Sequence, residues 1–155
     1  MDLAAAELVI ADWIDAQGDE RDQLLPLLHH LQREIGYIDD AAIPFIAAAF
    51  NLSRADVHGV LTFYHDFRRK PAGRHIVKLC RAESCQARGG AAIEAAASRR
   101  LGVAMGETRR DGQISLEPVY CLGLCAIGPN ALVDGRPVAR IDAAMLDTIA
   151  AEVAV

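Results

Sequence analysis

Apolar positions recur at helical spacing through the first part of the chain and then switch to an alternating pattern. Ala5, Leu8, Val9 and Trp13 repeat with a helical period, and Gly18 is a plausible stop. Leu24, Leu27, Leu28, Leu31 and Ile35 form one apolar stripe ended by Gly36. Pro26 fits this second helix only if it starts nearby, around Asp22, where a missing N–H is harmless. A third short helix is expected after Asp39–Asp40, using Ile43, Ile46 and Phe50. A fourth is expected from Ser53, with Ser53 as cap and Asp56 answering at the third position. It would carry Val57, Val60 and Leu61 inward.

The period changes after Lys70-Pro71-Ala72-Gly73, a turn-rich hinge. His75 to Cys80 alternates like a strand, Gly89 to Leu101 reads as an Ala-rich helix, and Ile114 to Val119 as a second strand. Ala131–Asp134 and Pro137–Ile141 read as two short strands joined at Gly135-Arg136. Asp142 then caps a last helix with Met145, Leu146 and Ile149 inward. The order β-α-β-β-β-α predicts a small α/β sheet domain over 74–155 behind a helical domain over 1–70, an α+β chain overall. Asp40–Asn51 and Ser53–Phe63 also suggest a helix-turn-helix. Its second helix offers one Arg and one His against an acid, and the chain's net charge is −5, which argues against nucleic-acid binding.

The chain has 155 residues, 52% hydrophobic and 24% charged, which is globular composition. Aromatics are only 5%, so the core must be mostly aliphatic. No apolar run approaches the ~20 residues of a membrane helix, and the first residues carry acids where a signal peptide is basic. The expectation is a soluble, cytoplasmic protein without membrane insertion. Four cysteines in such a chain point to metal ligation or redox chemistry rather than structural disulfides.

The cysteines are spaced C-x4-C, then 35 residues, then C-x3-C. Each pair, Cys80/Cys85 and Cys121/Cys125, falls in a loop just after a predicted strand. A 2Fe–2S cluster needs four thiolates, two per iron, and backbone N–H groups aimed at the sulfurs. Gly123 and Gly128 would let the backbone approach and turn for that purpose. A structural zinc site also takes four cysteines, usually as C-x2-C repeated, so spacing alone leaves a zinc-stapled interaction module open. A thioredoxin-type catalyst wants C-x-x-C, which is absent.

The segments CRAESCQARGG and VYCLGLCAIGPNALVDG, following LSRADVHGVLTFYHDF, resemble the thioredoxin-like 2Fe–2S ferredoxin family. The resemblance runs from about Leu24 to the last helix. It implies a thioredoxin-like α/β ferredoxin domain behind the helical bundle, and one 2Fe–2S cluster on Cys80, Cys85, Cys121 and Cys125. It further implies an electron-transfer subunit that has no catalytic residues of its own and docks on a neighbouring flavin- and NAD-binding subunit. Arg-Ala-Glu-Ser between the first two cysteines differs from the Thr- and Pro-containing loops usual in respiratory complex I members. With the Gln-Ala-Arg-Gly-Gly that follows Cys85, it resembles the gamma subunit of soluble NAD-dependent formate dehydrogenases, which implies a catalytic molybdenum subunit in the wider assembly. The equivalent subunits of complex I and of NAD-linked hydrogenases are the alternatives.

No G-x-G-x-x-G or Walker pattern is present, so no nucleotide site is expected in this chain. His29, His30, His58, His65 and His75 all lie outside the cysteine loops, which argues against a Rieske-type centre. Phe63, Tyr64 and Phe67 are read first as a core plug and second as a partner contact. Arg81 is a candidate for biasing the cluster's potential, since a cation favours the more negative reduced form.

Overall fold

The computed structural model describes residues 2–153. The chain divides into two compact units, Met1–Pro71 and Ala72–Val155.

The first unit is helical. Helix α1 (Leu3–Gln17) is capped by the Asp2 side chain, and α2 (Leu24–Ile35) follows a 3-10 turn at Arg21–Gln23. That turn leads into α2, so Pro26 falls in its first turn, where a missing donor costs no hydrogen bond. Gly36 ends α2 in the left-handed conformation. Helix α3 (Ile43–Ala49) is introduced by a 3-10 turn that Asp39 caps. Helix α4 (Arg54–Phe63) has a reciprocal capping box: the Asp56 N–H donates to Ser53 Oγ and the Ser53 N–H donates to the Asp56 carboxylate, both at 3.1 Å.

The core of this unit joins Leu24, Leu27, Leu28 and Leu31 to Ile43, Ile46, Phe50, Val57, Leu61 and Phe67. Two expectations need correction here. In α1 the inward residues are Ala6 and Ile10, with Val9 and Trp13 partly buried, while Leu8 is 66% exposed. A helix rich in apolar residues on every side gives no clean stripe, so the buried face cannot be chosen from spacing alone. Phe63 is 73% exposed, so the aromatic segment is not a plug: Phe67 is buried, whereas Phe63 and Tyr64 stack edge-to-face at the surface.

The second unit is a five-stranded sheet in the order β2-β3-β1-β4-β5. Its strands are β1 (His75–Cys80), β2 (Glu107–Thr108), β3 (Ile114–Val119), β4 (Asn130–Val133) and β5 (Arg136–Ala139). Strands β1 and β3 are parallel, as the crossover through α6 (Gly90–Leu101) requires, and the remaining pairings are antiparallel. Register puts Val77 beside Leu116 and Val133, and Ala131 beside Val138. With Leu79 and Ile114 these make one apolar face. It packs with Ala97 and Leu101 of α6 and with Leu146 and Ile149 of α7 (Ala143–Glu152). Asp142 caps α7 by accepting from the Met145 N–H at 2.8 Å, but Met145 itself faces outward.

The β4–β5 turn is Asp134-Gly135 rather than Gly135-Arg136, and both strands sit earlier than expected. Asp134 and Gly135 have φ of +49° and +81°, the twist that a two-residue hairpin loop needs. Two further elements carry no periodic signal in the sequence: the short edge strand β2 and a one-turn helix, α5 (Glu83–Ala87), inside the first cysteine loop.

Candidate metal centre

Both cysteine loops leave the sheet at the carboxyl ends of its adjacent parallel strands. Cys80 is the last residue of β1, in register with Val119, the last of β3, and Cys121 follows two positions later. The carboxyl ends of neighbouring parallel strands are where α/β sheets place their ligands, because chains diverge there and leave a crevice.

The first loop folds straight into α5, which turns Cys85 back under Cys80. Both thiols are buried, at 5% and 1% exposure. The second loop is turned by two left-handed residues, Cys121 (φ +69°) and Gly123 (φ +77°), before a 3-10 turn at Cys125–Ile127. A non-glycine residue rarely takes such a φ, and here it aligns Cys121 with its partner. Cys121 is exposed and Cys125 partly so. Their sulfurs lie 3.6 Å apart. A disulfide would hold them at about 2.0 Å, whereas two thiolates on one tetrahedral metal with bonds of about 2.3 Å sit about 3.8 Å apart. The pair is spaced for a shared metal.

The loops are laced to each other. Ser84 Oγ donates to the Cys125 carbonyl at 3.1 Å, and Asn130 Nδ2 donates to the Leu124 carbonyl at 2.8 Å and lies 3.7 Å from Cys85 Sγ. Gly128 passes so close that a Cβ there would stand 3.2 Å from Cys85 Sγ.

The electrostatics differ thiol by thiol. Burial pushes the Cys80 thiol up. The N–H groups of Ala82, Cys121 and Leu122 and the Cys85 side chain outweigh it, so Cys80 is held below the ordinary thiol range. N–H groups from both loops thus converge on one sulfur, the environment that a cluster thiolate requires. Burial and the adjacent Cys80 raise Cys85, against the opposing Asn130 N–H. The Cys121 thiol, by hydrogen bond and by charge, raises Cys125. Of the two buried thiols, Cys80 is thus favoured as the thiolate and Cys85 as the thiol.

Among the described residues no group of three or more His, Cys, Asp or Glu is arranged around one metal ion. The cysteines come as two pairs, the donor set that two irons take. No helix among the described residues is long and apolar enough to cross a membrane. Arg81, a candidate for tuning, is paired with Glu94 at 3.0 Å, which offsets its charge. His75 is bound to Asp134, and His29 and His30 stack beside Phe67 and Trp13, so these three have structural partners. Asn130 is not indicated by the sequence. The only hint is an asparagine directly after Gly-Pro at the end of the second loop, and its burial is a product of tertiary packing.

A family model described as thioredoxin-like [2Fe-2S] ferredoxin matches residues 10–154. The E subunit of NADH-quinone oxidoreductase from Escherichia coli (strain K12) is 37% identical over 116 residues, 75% of this chain and 70% of that protein. Its namesake from Mycobacterium tuberculosis is 36% identical over 132 residues, 85% of this chain and 52% of that one. Among solved structures, an NAD+-reducing [NiFe]-hydrogenase in the air-oxidised state superposes with a TM-score of 0.71 at 26% identity. The match covers 84% of this chain and 22% of the hydrogenase chain.

Proposed function

Because the chain belongs to the thioredoxin-like [2Fe-2S] ferredoxin family, we propose that Cys80, Cys85, Cys121 and Cys125 hold its 2Fe–2S cluster and that it serves as the electron-transfer subunit of an NADH-oxidising complex. The observation that carries the reading is the pair of cysteine loops springing from the adjacent ends of β1 and β3, with N–H groups of both aimed at Cys80. Cys80 and Cys85 would take one iron, Cys121 and Cys125 the other. When bound, such a cluster stores and passes single electrons.

The chain's own residues then do three things. The buried Cys80–Cys85 pair anchors one side in a low-dielectric setting. The N–H groups of Ala82, Cys121 and Leu122 offset the negative charge of the thiolates. The exposed Cys121 leaves one side open, so a partner's redox centre can approach without rearrangement of this chain. Neither substrate binding nor proton transfer is asked of this subunit; a partner subunit that binds flavin and NAD supplies both.

The name of the curated relatives favours a complex that oxidises NADH over the formate dehydrogenase suggested by the first cysteine loop, and the similar solved structure is an NAD+-reducing hydrogenase, again without a formate link in its name. The formate-linked assembly, with its molybdenum subunit, stays as the second reading on the strength of Arg81-Ala82-Glu83-Ser84 and the Gln86-Ala87-Arg88-Gly89-Gly90 that follows. Anaerobic purification, iron and sulfide analysis and EPR of the reduced chain test the cluster. Co-purification from the native host tests the assembly. NADH-reducible EPR signals in a complex without formate activity are expected; molybdenum and formate activity in the complex would select the second reading, and zinc without sulfide would overturn both.

A further inference from the structure

Asn130 is a polar residue almost sealed from solvent, at 2% exposure. Its side-chain nitrogen spans the two cysteine loops, donating to the Leu124 carbonyl at 2.8 Å and approaching Cys85 Sγ at 3.7 Å. An amide carries two N–H donors, so one serves each partner. The orientation is fixed: turned over, the amide would press its oxygen against the Leu124 carbonyl, acceptor against acceptor. In this orientation Oδ1 is buried with no partner.

A buried carbonyl oxygen without a donor destabilises the fold, and each such group calls for an explanation. Packing does not supply one. Leucine has the same γ-branched outline, suits a strand end and would bury no side-chain oxygen. The N–H toward Cys85 does supply one. Sulfur becomes more negative when a cluster is reduced, so a hydrogen bond to a ligand sulfur stabilises the reduced state more than the oxidised one. Cys85 has most need of such a donor, being 1% exposed and out of reach of water. The other N–H directed at its sulfur is the backbone of the same residue, Asn130.

Resting on the cluster reading above, we infer that Asn130 is a positioning residue for the 2Fe–2S cluster: its Nδ2 locks the second cysteine loop to Cys85 and raises the reduction potential by hydrogen bonding to that sulfur. Gly128 belongs to the same device, since a Cβ there would stand 3.5 Å from Nδ2 and 3.2 Å from Cys85 Sγ.

The chain contains two asparagines, Asn51 and Asn130, so asparagine labelled with 15N at the side-chain amide reports on few sites. Pulsed EPR of the reduced, labelled full-length protein is expected to show 15N coupling to the cluster, and Asn130→Leu is expected to abolish it. Redox titration of Asn130→Leu and Asn130→Asp is expected to move the midpoint negative, further for Asp because it adds charge. The expected size is threefold to tenfold in the one-electron equilibrium, tenfold being about 59 mV. A merely structural asparagine would alter cluster retention or melting temperature but not the potential of the clusters retained. Absence of 15N coupling in the cluster-loaded wild type overturns the inference, as does a coupling that persists in Asn130→Leu or an unchanged midpoint. If a variant fails to hold its cluster, the wild-type coupling decides alone. A wild type that purifies without iron and sulfide overturns the cluster reading instead, and is recognised before any variant is made.

Discussion

Cys80 stands opposite Val119 across the parallel pair β1–β3, and the ladder runs one step further, the Arg81 N–H donating to the Val119 carbonyl at 2.8 Å. The cysteine loops therefore start side by side at one level of the sheet. Their cysteines, the proposed ligands, differ in what they do for the fold. Cys121→Ala removes an exposed side chain, so it should strip the cluster while leaving the apo-protein's melting temperature nearly unchanged. Cys85→Ala should also strip the cluster, and should in addition destabilise the apo-protein by on the order of 1 kcal/mol by leaving a small void. Iron and sulfide assays with thermal melts of the apo forms check both. Full iron in either variant would mean the ligand set is wrong.

Gly128 and Gly123 are both glycines of the second loop, with different reasons. Gly128 has an ordinary extended backbone (φ −68°, ψ 166°), but a Cβ there would crowd Cys85 Sγ at 3.2 Å, whereas Gly123 has room and a left-handed φ of +77°. Gly128→Ala is expected to cost about 1–3 kcal/mol through overpacking against Cys85 and to lower cluster occupancy. Gly123→Ala is expected to cost about 1 kcal/mol through backbone strain, and Gly123→Asn less, since Asn tolerates that conformation better. Denaturant melts and iron content of the three variants distinguish crowding from strain.

Much of this architecture is legible in the sequence because it depends on local chemistry. Ser53 and Asp56 announce the start of α4, Gly36 the end of α2, and the alternation of His75–Cys80 a strand ending at a cysteine. The paired cysteines are legible for the same reason: spacing and flanking glycines are sequence properties. What escapes depends on neighbours distant in the chain. The burial of Asn130 is set by packing between two loops, and the inward turn of Ala6 rather than Leu8 by which face of α1 meets α2 and α3. Helix α5 escapes because a single turn of helix stands on its tertiary contacts, isolated helices of that length being unstable.

His75 Nδ1 and Asp134 Oδ2 lie 2.8 Å apart, and the Ile76 N–H donates to Asp134 Oδ1 at 2.7 Å. Burial opposes the Asp134 carboxylate, but these two partners outweigh it and hold its pKa below the ordinary 3.8. A carboxyl depressed on folding stabilises the protein above its unfolded pKa, and that contribution disappears as pH falls through the lower folded value. Asp134→Asn keeps a residue tolerant of positive φ and removes only the charge. It should be less stable than wild type at pH 7 by on the order of 0.5–1 kcal/mol, a surface-pair magnitude because the side chain is 43% exposed. The gap should close below about pH 4. Urea melts from pH 3 to 7 check this, and a gap constant with pH would assign the cost to geometry instead.

The two hydrophobic clusters each draw on a single stretch of chain, Ala6 to Phe67 in one and Val77 to Val153 in the other. All four cysteines, Asn130 and the glycines of the loops belong to the second stretch. A fragment comprising residues 72–155 should therefore fold, hold a 2Fe–2S cluster and give the EPR spectrum of the full chain. The helical unit presents Phe63 at 73% and Tyr64 at 43% exposure, stacked with ring centroids 5.0 Å apart. Exposed paired aromatics of this kind are what protein interfaces bury. Removing the unit is expected to weaken attachment to the proposed flavin-bearing partner by at least tenfold, and Phe63→Ala in the full chain should reproduce part of that loss with the cluster signal unchanged. Affinity measured by pull-down or interferometry, alongside EPR on the same samples, separates the two roles. A fragment that binds as tightly as the full chain would confine the helices to folding or solubility, and one that holds no cluster would show that the sheet unit cannot stand without them.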